Sequence, residues 1–470
     1  MRKTKIICTL GPACNNKETL TEMMKAGMNV ARFNFSHGTH EYQRAQIELF
    51  NEVRDELGLP AAALLDTKGP EYRIRTFKEG KVTLNDGDTF TLTTEEIEGD
   101  ETRVSVSYKN MANELNKGDR ILINNGLIIL EVQSTTDTDV ICKVIVGGEL
   151  SNQKSMSFPN KVLKQVYLSE QDKADILLGI EMDIDYIACS FVSCKQDILD
   201  VREFVEKNGG NGIDLIAKIE NRSGVDNIEE ILSVSDGIMI ARGDMGVEIP
   251  YAELPHIQKK LITACRFKGK RVITATEMLE SMIYNPRPTR AEISDVANAV
   301  YDGTSAIMLS GETAAGKYPV EAVKAMSKIA WETEQNIHYK KRFNNTSFEI
   351  KNTTDALSHS TCSLAIDVGA TVIVACTRSG MTARMISRFR SPTPIIGMTT
   401  DVKAYRKLAL SWNVMPMLTD EFQSTDVLFY HAVVQAKKSG LTKSGDTIVI
   451  TGGMTNGASG NTNTIKIEEI

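Results

Sequence analysis

The segment from Asp214 to Asp244, DLIAKIENRSGVDNIEEILSVSDGIMIARGD, contains the pattern that predicts the fold. Two short runs rich in β-forming apolar residues, DLIAKIE and GIMIARGD, lie on either side of a stretch long enough for a helix. A strand, a helix and a second strand in this order are typical of parallel strands joined by a right-handed crossover. The fold therefore depends on how often this unit recurs.

The same alternation extends along the chain in both directions. The runs that qualify as strands are KIICTL from Lys5, NVARFNF from Asn29, AAALLDT from Ala61, DYIACSF from Asp185, DLIAKIE from Asp214, GIMIARGD from Gly237, RVITATEM from Arg271 and SAIMLSGE from Ser305. Helical patterns with apolar residues three and four positions apart separate them, for example AEISDVANAV. Eight parallel strands with helices between them predict an α/β fold of the (β/α)8 TIM-barrel type.

The alternation is interrupted once and restarts once. From residue 70 to 166, short β segments with NDGD and KGD turn signals predict an inserted β-rich, β-barrel-like domain after the third strand. That position is on the barrel face where active sites form, so the insertion would act as a lid. From residue 345 to 470, strands and helices alternate again and predict a C-terminal α/β domain. The catalytic barrel is then assigned to residues 1–69 and 167–344.

Bulk composition excludes several classes of protein. The 54 Lys and Arg residues against 61 Asp and Glu give a net charge of -7, which offers no general attraction to nucleic acid or anionic lipid. We find no apolar stretch long enough to span a bilayer, and the apolar run at the start is shorter than a secretory core. The eight cysteines show no paired CxxC spacing. We therefore expect a cytoplasmic protein with no nucleic-acid or membrane partner.

Polar residues occur at the carboxyl ends of three predicted strands, where barrel active sites form. They are Arg32, Asn34 and Ser36 on the second strand, Lys218 and Glu220 on the fifth, and Arg242 and Asp244 on the sixth. For any one strand, a salt bridge that fills the barrel explains these residues as well as a functional site does. Their coincidence on three strands favours a site.

The charges in this set indicate what the site binds. Glu220 and Asp244 offer hard oxygen ligands to Mg²⁺, which usually takes one or two carboxylates and completes its shell with water and substrate oxygens. Lys218 and Arg32 beside them suit a transferring phosphoryl group, whose negative oxygens need cations. The sequence thus predicts a divalent metal and a small anionic substrate at the barrel mouth.

Two uncharged residues at the same mouth have two explanations each. Gly243 would let backbone amides approach an anion closely, although a simple tight turn also explains it. Thr276, at the end of the seventh strand, either binds a substrate through its hydroxyl or satisfies a backbone group of the barrel. Residue spacing alone does not decide between these alternatives.

Several long motifs that contain these residues resemble the pyruvate kinase family. They are ARFNFSHG, LLDTKGPEYR, AKIENRSG, IMIARGDMGVEIP, and NPRPTRAE followed by DVANAV. The resemblance runs from Lys3 to the C-terminus and includes the inserted domain. It implies transfer of a phosphoryl group from phosphoenolpyruvate to ADP, giving pyruvate and ATP, as the final step of glycolysis. The implied cofactors are Mg²⁺ (or Mn²⁺) and K⁺.

The resemblance also implies residue roles. The substrate-binding residues would be Arg32, Lys218, Gly243, Asp244 and Thr276, with Lys218 stabilising the transferring phosphoryl group and Thr276 as a proton relay. Glu220 and Asp244 would hold Mg²⁺. The K⁺ ligands would be Asn34, Ser36, Asp66 and Thr67, and the nucleotide contacts would be Asn34, Phe35, Ser36, His37, Arg73 and Lys154. Relatives that need no K⁺ tend to carry lysine at the position of Glu71, so this glutamate predicts K⁺ dependence.

Some positions depart from the family pattern. The surroundings of Lys154, QKSMSFPN, differ from the usual KGVNLPG, and Asn124 and Asn125 replace paired aspartates. Glu277 replaces a glutamine, and Ser193 replaces an arginine. These departures concern the lid and the nucleotide, whereas every residue assigned to Mg²⁺ and to the phosphoryl group is present.

The C-terminal domain carries TRSGMT, in which Thr377, Ser379, Gly380 and Thr382 form a hydroxyl- and glycine-rich turn. Such a turn can present amides to a phosphate, although an ordinary strand-to-helix loop explains it too. Similarity to the family's effector site favours allosteric activation by a sugar phosphate such as fructose 1,6-bisphosphate. The resemblance further implies a homotetramer.

Two other functions are compatible with the barrel. A different Mg²⁺ barrel enzyme that acts on pyruvate-like acids, such as an aldolase or a phosphoenolpyruvate mutase, would share the two carboxylates but would not need Arg73, Lys154 or a lid. A non-catalytic sensor of sugar phosphates would share the whole fold. The presence of Lys218, Glu220 and Asp244 argues against the sensor.

Overall fold

The computed structural model describes residues 1–159, 161, 163, 166–421, 424–453 and 462–470. Its first three strands and two helices are β1 (Lys5–Thr9), α1 (Lys17–Ala26), β2 (Val30–Asn34), α2 (His40–Leu57) and β3 (Ala62–Asp66). Helix α2 begins where the Thr39 side chain accepts a hydrogen bond from the Tyr42 amide, and it ends at Gly58 in the left-handed conformation. These local signals fix the crossovers between the first strands.

The insertion follows β3 and consists mainly of short strands. They are β4 (Tyr72–Arg73), β5 (Lys81–Leu84), β6 (Thr89–Thr93), β7 (Arg103–Ser105), β8 (Arg120–Ile123), β9 (Ile128–Thr135), β10 (Asp139–Val146), β11 (Gly148–Ser151) and β12 (Ser155–Ser157), with a short helix α3 (Met111–Glu114). Seven of them form a sheet in the order β4-β12-β8-β9-β10-β6-β7, and β11 pairs with β5. Burial alternates along β9 and β10, so one face packs into the core of the insertion.

The barrel resumes after the insertion. Its remaining strands are β13 (Tyr186–Cys189), β14 (Asp214–Ile219), β15 (Gly237–Ala241), β16 (Arg271–Ala275) and β17 (Ala306–Leu309). The helices of this part are α4 (Glu170–Glu181), α5 (Lys195–Lys207), α6 (Arg222–Asp226), α7 (Ile228–Val234), α8 (Arg242–Glu248), α9 (Leu254–Lys268), α10 (Arg290–Asp302), α11 (Gly311–Ala314) and α12 (Pro319–Gln335). Helix α10 begins with a capping box between Thr289 and Glu292.

The eight strands close into one parallel barrel in the order β1-β2-β3-β13-β14-β15-β16-β17. Parallel strands covered by helices on the outside and side chains on the inside are buried on both faces, and β1, β3 and β15 are buried along their whole length. Each predicted apolar run contains one of these strands. The predicted TIM barrel with an inserted β-rich domain is confirmed.

The C-terminal part forms a separate sheet flanked by helices. Its elements are α13 (Tyr339–Asn345), α14 (Thr353–Asp367), β18 (Val372–Cys376), α15 (Met381–Ser387), β19 (Ile395–Thr399), α16 (Val402–Leu408), β20 (Val414–Leu418), α17 (Thr425–Lys438), β21 (Thr447–Gly452) and β22 (Thr464–Glu469). The sheet order is β20-β19-β18-β21-β22, with only the pair of β21 and β22 antiparallel in this five-stranded sheet. The predicted C-terminal α/β domain is therefore confirmed.

This domain covers the amino end of the barrel. The Arg406 guanidinium contacts the Asp185 carboxylate at 2.7 Å, and the Lys407 ammonium contacts the Asp214 carboxylate at 2.8 Å. The Tyr186 hydroxyl donates to the Lys407 carbonyl at 2.5 Å. The C-terminal domain therefore lies at the end of the barrel opposite to the inserted domain, which lies at the carboxyl ends of the strands.

The domain limits 1–69, 70–166, 167–344 and 345–470 stay predictions. Within the described part of the chain, no helix combines the length and apolar character that crossing a membrane requires.

Candidate active site

A cleft of about 370 Å³ lies between the carboxyl ends of the barrel strands and the inserted domain. Glu220 and Asp244 belong to its barrel wall, and Arg73 and Ser155 belong to the wall formed by the insertion. Sites in TIM barrels form at this end of the strands. The cleft is therefore the candidate active site.

Lys218 lies beside Glu220, which lines this cleft, and is held by three neighbours. Its ammonium is 3.0 Å from Asp66 Oδ1 and 3.0 Å from Glu220 Oε1, and it donates to Ser190 Oγ at 2.7 Å. Burial alone would lower the pKa of Lys218, but the two carboxylates, Asp66 first, raise it overall. A charged ammonium is thus fixed in a buried position.

Arg32 is a second cation of the site, and it contacts Asp66 as Lys218 does. Its Nε contacts Asp66 Oδ2 at 2.6 Å, and its Nη1 donates to Thr9 Oγ1 at 2.9 Å. Burial acts to raise the pKa of Asp66, but Arg32 and then Lys218 outweigh burial and lower it. Asp66 is consequently an ionised bridge that orients both cations predicted to meet the substrate.

Glu220 and Asp244 form an acid pair that a metal ion would stabilise. Glu220 Oε2 accepts a hydrogen bond from the Phe191 amide at 2.5 Å. Burial, together with the charge of Asp244, raises the pKa of Glu220 in spite of Lys218. No group of three acidic, histidine or cysteine side chains that could hold a metal occurs among the described residues. The chain would thus supply two carboxylates and leave the other positions to water and substrate, which fits Mg²⁺.

Local structure around Asp244 differs from the sequence expectation. Strand β15 ends at Ala241 and helix α8 begins at Arg242, so Arg242 and Asp244 are not alternate positions of a strand. The Arg242 guanidinium pairs with the Asp295 carboxylate at 2.7 Å and donates to the Thr276 carbonyl at 2.6 Å. Arg242 therefore braces the barrel wall, and the prediction that it converges on the opening is wrong.

Gly243 and Thr276 contact each other. The Gly243 amide donates to Thr276 Oγ1 at 2.7 Å, and that hydroxyl donates to the Ala275 carbonyl at 2.6 Å. Thr276 also has a φ of 68°, which is an unfavourable backbone conformation for a β-branched residue. A substrate carboxylate that binds the Gly243 amide would have to take the place of this hydroxyl.

The four predicted K⁺ ligands lie on two neighbouring strand ends. Asn34 and Asp66 are paired in register, and the Phe35 amide donates to the Asp66 carbonyl at 3.0 Å. Asn34 Oδ1 accepts from the Ser36 amide at 3.2 Å. The Thr67 hydroxyl donates to a backbone carbonyl at 3.3 Å. The structure brings these oxygen donors together, and their role stays a prediction.

Part of the predicted nucleotide site lies just after β2. Ser36 and His37 are exposed, so their side chains are accessible from solvent. The Phe35 side chain is buried in the barrel core with only 7% of its surface exposed. Because its amide donates to Asp66, only the backbone carbonyl of Phe35 is then available to a nucleotide.

The other part lies on the inserted domain. Arg73 forms an ion pair with Glu71 through two contacts, one of 2.8 Å, and its Nη1 donates to the Gln153 carbonyl at 2.6 Å. Lys154 is brought beside Arg73 because the next residue, Ser155, pairs with Arg73 in the β4-β12 register. The register thus places Lys154 near Arg73, and of these two predicted nucleotide-binding cations Arg73 lines the cleft.

Two of the departures from the family pattern have a structural explanation. Asn124 and Asn125 both have a φ of 56°, in the tight turn between β8 and β9. Asparagine tolerates the left-handed conformation better than most residues do. Asn125 lines the cleft, and its neighbour Gly126 lies against Val247 of α8. This turn is where the insertion meets the barrel.

The predicted effector turn lies before α15. Ser379 is exposed, Thr377 is half-buried and Gly380 has a φ of 83°. Thr382 is buried, and its hydroxyl is 2.7 Å from the hydroxyl of Thr462. The backbone therefore forms the expected glycine turn, while Thr382 is already engaged within the domain.

Three residues of the site were not found from the sequence. The Ser190 hydroxyl binds Lys218, the Phe191 amide binds Glu220, and the Thr9 hydroxyl binds Arg32. Ser190 carried a usable signal, because it is a polar residue directly after the apolar strand β13. The other two contacts depend on neighbouring strands and leave no local pattern.

Known proteins match the whole chain. A model of the pyruvate kinase barrel domain matches residues 1–323, and a model of the pyruvate kinase alpha/beta domain matches residues 355–468. The pyruvate kinase of Clostridium acetobutylicum is 46% identical over 100% of both chains. That of Geobacillus stearothermophilus is 45% identical over 100% of this chain and 80% of the relative.

Similarity extends to a solved structure. The crystal structure of a pyruvate kinase from Cryptosporidium parvum superposes with a TM-score of 0.95 at 36% identity, covering 100% of this chain and 96% of the other. Sequence and structure therefore agree over the barrel, the insertion and the C-terminal domain. The chain belongs to the pyruvate kinase family.

Proposed function

We propose that this chain transfers the phosphoryl group of phosphoenolpyruvate to ADP, giving pyruvate and ATP, in the last step of glycolysis. The observation that carries the proposal is the Lys218 ammonium, held 3.0 Å from both Asp66 and Glu220, where Glu220 lines the cleft shared by the barrel and the insertion. A fixed cation beside two acids that suit a metal is the arrangement that phosphoryl transfer needs.

In the reaction, the bond between phosphorus and the enol oxygen of phosphoenolpyruvate breaks, and a terminal oxygen of ADP bonds to the phosphorus. Arg32 and Lys218 attract the negative substrate, and Lys218 neutralises charge on the oxygens in transit. Mg²⁺ or Mn²⁺, when bound by Glu220 and Asp244, supplies further positive charge there. Asp66 holds both side-chain cations in place without itself meeting the substrate.

The enolate that remains must gain a proton on carbon to become pyruvate. We assign Thr276 to substrate binding and to relay of this proton. Its hydroxyl is in contact with the Gly243 amide at 2.7 Å, so it lies beside the backbone proposed to hold the substrate carboxylate. Release of the hydroxyl from that amide would free both groups for the substrate.

Replacing Glu220 by glutamine is expected to raise the Mg²⁺ concentration for half-maximal rate by about tenfold or more. Glutamine preserves the acceptor for the Phe191 amide but removes one of two anionic ligands. The measurement is initial rate against Mg²⁺ at saturating substrates. Asp226→Asn, an exposed site on the following helix, is the matched control. An unchanged Mg²⁺ requirement in Glu220→Gln would contradict the ligand assignment.

K⁺ is proposed to bind Asn34, Ser36, Asp66 and Thr67. Glu71 is next to this region and pairs with Arg73, while the Lys68 ammonium lies 3.7 Å from it. Replacing Glu71 by lysine is expected to lower the ratio of rates with and without K⁺ by about tenfold, because a fixed ammonium substitutes for the ion. The ratio is measured with a bulky organic cation in place of K⁺.

Glu98→Lys serves as the control for that experiment, because Glu98 is exposed on the same inserted domain. It changes the net charge equally and is expected to leave the ratio unchanged. Equal K⁺ dependence in Glu71→Lys and the parent would contradict the prediction that the residue at position 71 determines the need for K⁺.

The direct test is pyruvate formation from phosphoenolpyruvate and ADP by the purified chain, with Mg²⁺ and K⁺ each present or omitted. Activity that requires both ions is the expected result. Absence of activity under every condition, including addition of fructose 1,6-bisphosphate, would contradict the proposal and leave a sugar-phosphate sensor.

Nucleotide contacts are proposed at Asn34, Phe35, Ser36, His37, Arg73 and Lys154. We further propose activation by a sugar phosphate at Thr377, Ser379, Gly380 and Thr382, assembly as a homotetramer, and residence in the cytoplasm. The eight cysteines support the last point, because all are free thiols in the structure.

A further inference from the structure

A small cavity lined by cations lies between the amino end of the barrel and the C-terminal domain. Its charged lining residues are Arg266, Lys270 and Arg271 from the barrel, and Arg384, Arg388 and Arg390 from the C-terminal domain. No carboxylate lines it among the residues that the structure describes. We propose that this cavity is a binding site for the phosphate group of a small anion, which would bridge the barrel and the C-terminal domain.

Nearby acids neutralise only part of this charge. Asp214 contacts Arg271 at 2.7 Å and Lys407 at 2.8 Å, and it lies 3.9 Å from Arg384. Asp355 lies 3.3 Å from Arg388. These two acids thus contact three of the six lining cations and Lys407 as well, and a third nearby acid, Asp236, already pairs with Arg202 at 2.8 Å. Burying a charge without a counter-ion raises the free energy of the folded protein, so binding of an anion next to these cations is favourable.

Several hydrogen-bond donors that face this region also lack acceptors. They are the Nε atoms of Arg266, Arg271, Arg384 and Arg388 and the hydroxyl of Ser411, all buried and unpaired within the described chain. Buried polar atoms without a partner usually mark a bound water or ion. Because four of the five are guanidinium groups that can only donate, the matching ligand is one that accepts several hydrogen bonds.

The lack of hydrogen-bond and acidic partners is clearest at Arg266. It lies in the last turn of α9 and is half-buried, and its guanidinium makes no hydrogen bond or ion pair to any residue that the structure describes. Burial, and then the nearby charge of Arg342, lower the pKa of Arg266 to about 10. Burial, followed by repulsion from Arg266, lowers the pKa of Arg390 well below its usual range. A bound anion would remove both penalties.

The chemistry of the donors selects a tetrahedral oxyanion. Guanidinium groups bind phosphate through paired hydrogen bonds, whereas a halide accepts them without this geometry. The cavity measures about 10 Å³, close to the space of one water molecule. One phosphate oxygen would therefore insert, and the rest of the ligand would remain outside. The predicted effector turn from Thr377 to Thr382 does not line the cavity.

Trp412 provides a local probe for the test. It lines the cavity, is buried, and has the Arg390 guanidinium 4.8 Å from its ring centre. The chain contains two tryptophans, and the other, Trp331, is 45% exposed on α12. A Trp331→Phe variant leaves Trp412 as the sole indole. Its fluorescence is followed while phosphate replaces chloride at constant ionic strength.

A saturable fluorescence change with inorganic phosphate is the expected result. Arg266→Gln removes no ion pair, and Arg384→Gln removes only the 3.9 Å contact with Asp214. Both are expected to raise the half-saturating phosphate concentration at least about tenfold. Arg120→Gln on the inserted domain and Thr382→Val at the effector turn are expected to leave it unchanged. A heat-unfolding scan of each variant verifies that it is folded.

Glycerol 3-phosphate forms the second arm of the titration. If it saturates the signal as phosphate does, the site accepts phosphate esters; if only inorganic phosphate does, the site holds the free ion. An identical response to chloride, or an unchanged half-saturating concentration in both arginine variants, would overturn the proposal.

Discussion

Replacing Lys218 by methionine is expected to lower kcat by about a thousandfold or more. Removing one preorganised donor to a transition state typically lowers kcat by 10²- to 10³-fold, and a cation aimed at a transferring phosphoryl group contributes 10³- to 10⁵-fold. Methionine retains the unbranched stem of lysine but has no charge. The ammonium is the one group in the site that contacts both Asp66 and Glu220 among the described residues.

The fold and the metal site are expected to survive this change. Asp66 keeps its 2.6 Å contact with Arg32, and Glu220 keeps the Phe191 amide. Mg²⁺ affinity, measured by competition with Mn²⁺ in water-proton relaxation, should thus stay close to that of the parent. Lys260→Met, at an exposed site on α9, is the matched control and should retain full activity. Near-normal turnover of Lys218→Met would refute the role of Lys218 in phosphoryl transfer.

The barrel could be predicted from the sequence because its strands carry a local signal. Strands such as β14 and β15 are buried on both faces, so they appear as short continuous apolar runs that stand out from the helices between them. The same logic located Lys218 and Glu220, because polar residues at the end of a buried strand are unusual. Glycine and asparagine turns likewise marked the insertion.

Contacts between distant strands could not be predicted. The roles of Asp66 in orienting Arg32 and Lys218 depend on side-chain directions in a closed barrel. Helix α8 begins directly at Arg242, so Asp244 lies in a helical turn and the Arg242 guanidinium pairs with the Asp295 carboxylate. The cation-lined cavity is an extreme case, since Arg266 and Arg388 are far apart in sequence and have no pattern in common.

A second large effect is expected where the C-terminal domain covers the barrel. Arg406→Met should destabilise the protein by roughly 3 to 5 kcal/mol, because removing one partner of a buried ion pair leaves the other charge uncompensated. Asp185 is fully buried and contacts Arg406 Nε at 2.7 Å, with the Ala63 amide as its other partner at 2.9 Å. The measurement is the midpoint of thermal unfolding. Arg44→Met, at a surface ion pair with Glu181, is the control and should change stability by less than about 1 kcal/mol.

The pH dependence and a double variant separate lost charge pairing from lost packing. Burial raises the pKa of Asp185 even with Arg406 present, and removing Arg406 should raise it further. A carboxyl whose folded pKa exceeds its unfolded value adds stability below the unfolded pKa and loses that contribution as pH rises through the folded pKa. The loss of stability in Arg406→Met relative to the parent should thus be smaller at pH 5 than at pH 8.

A double variant tests the same point. Adding Asp185→Asn removes the unpaired charge, and the asparagine can still accept from the Ala63 amide, so the unfolding temperature should recover in part. If the double variant unfolds at a lower temperature than Arg406→Met, the loss comes from packing of the long arginine side chain and not from the buried acid.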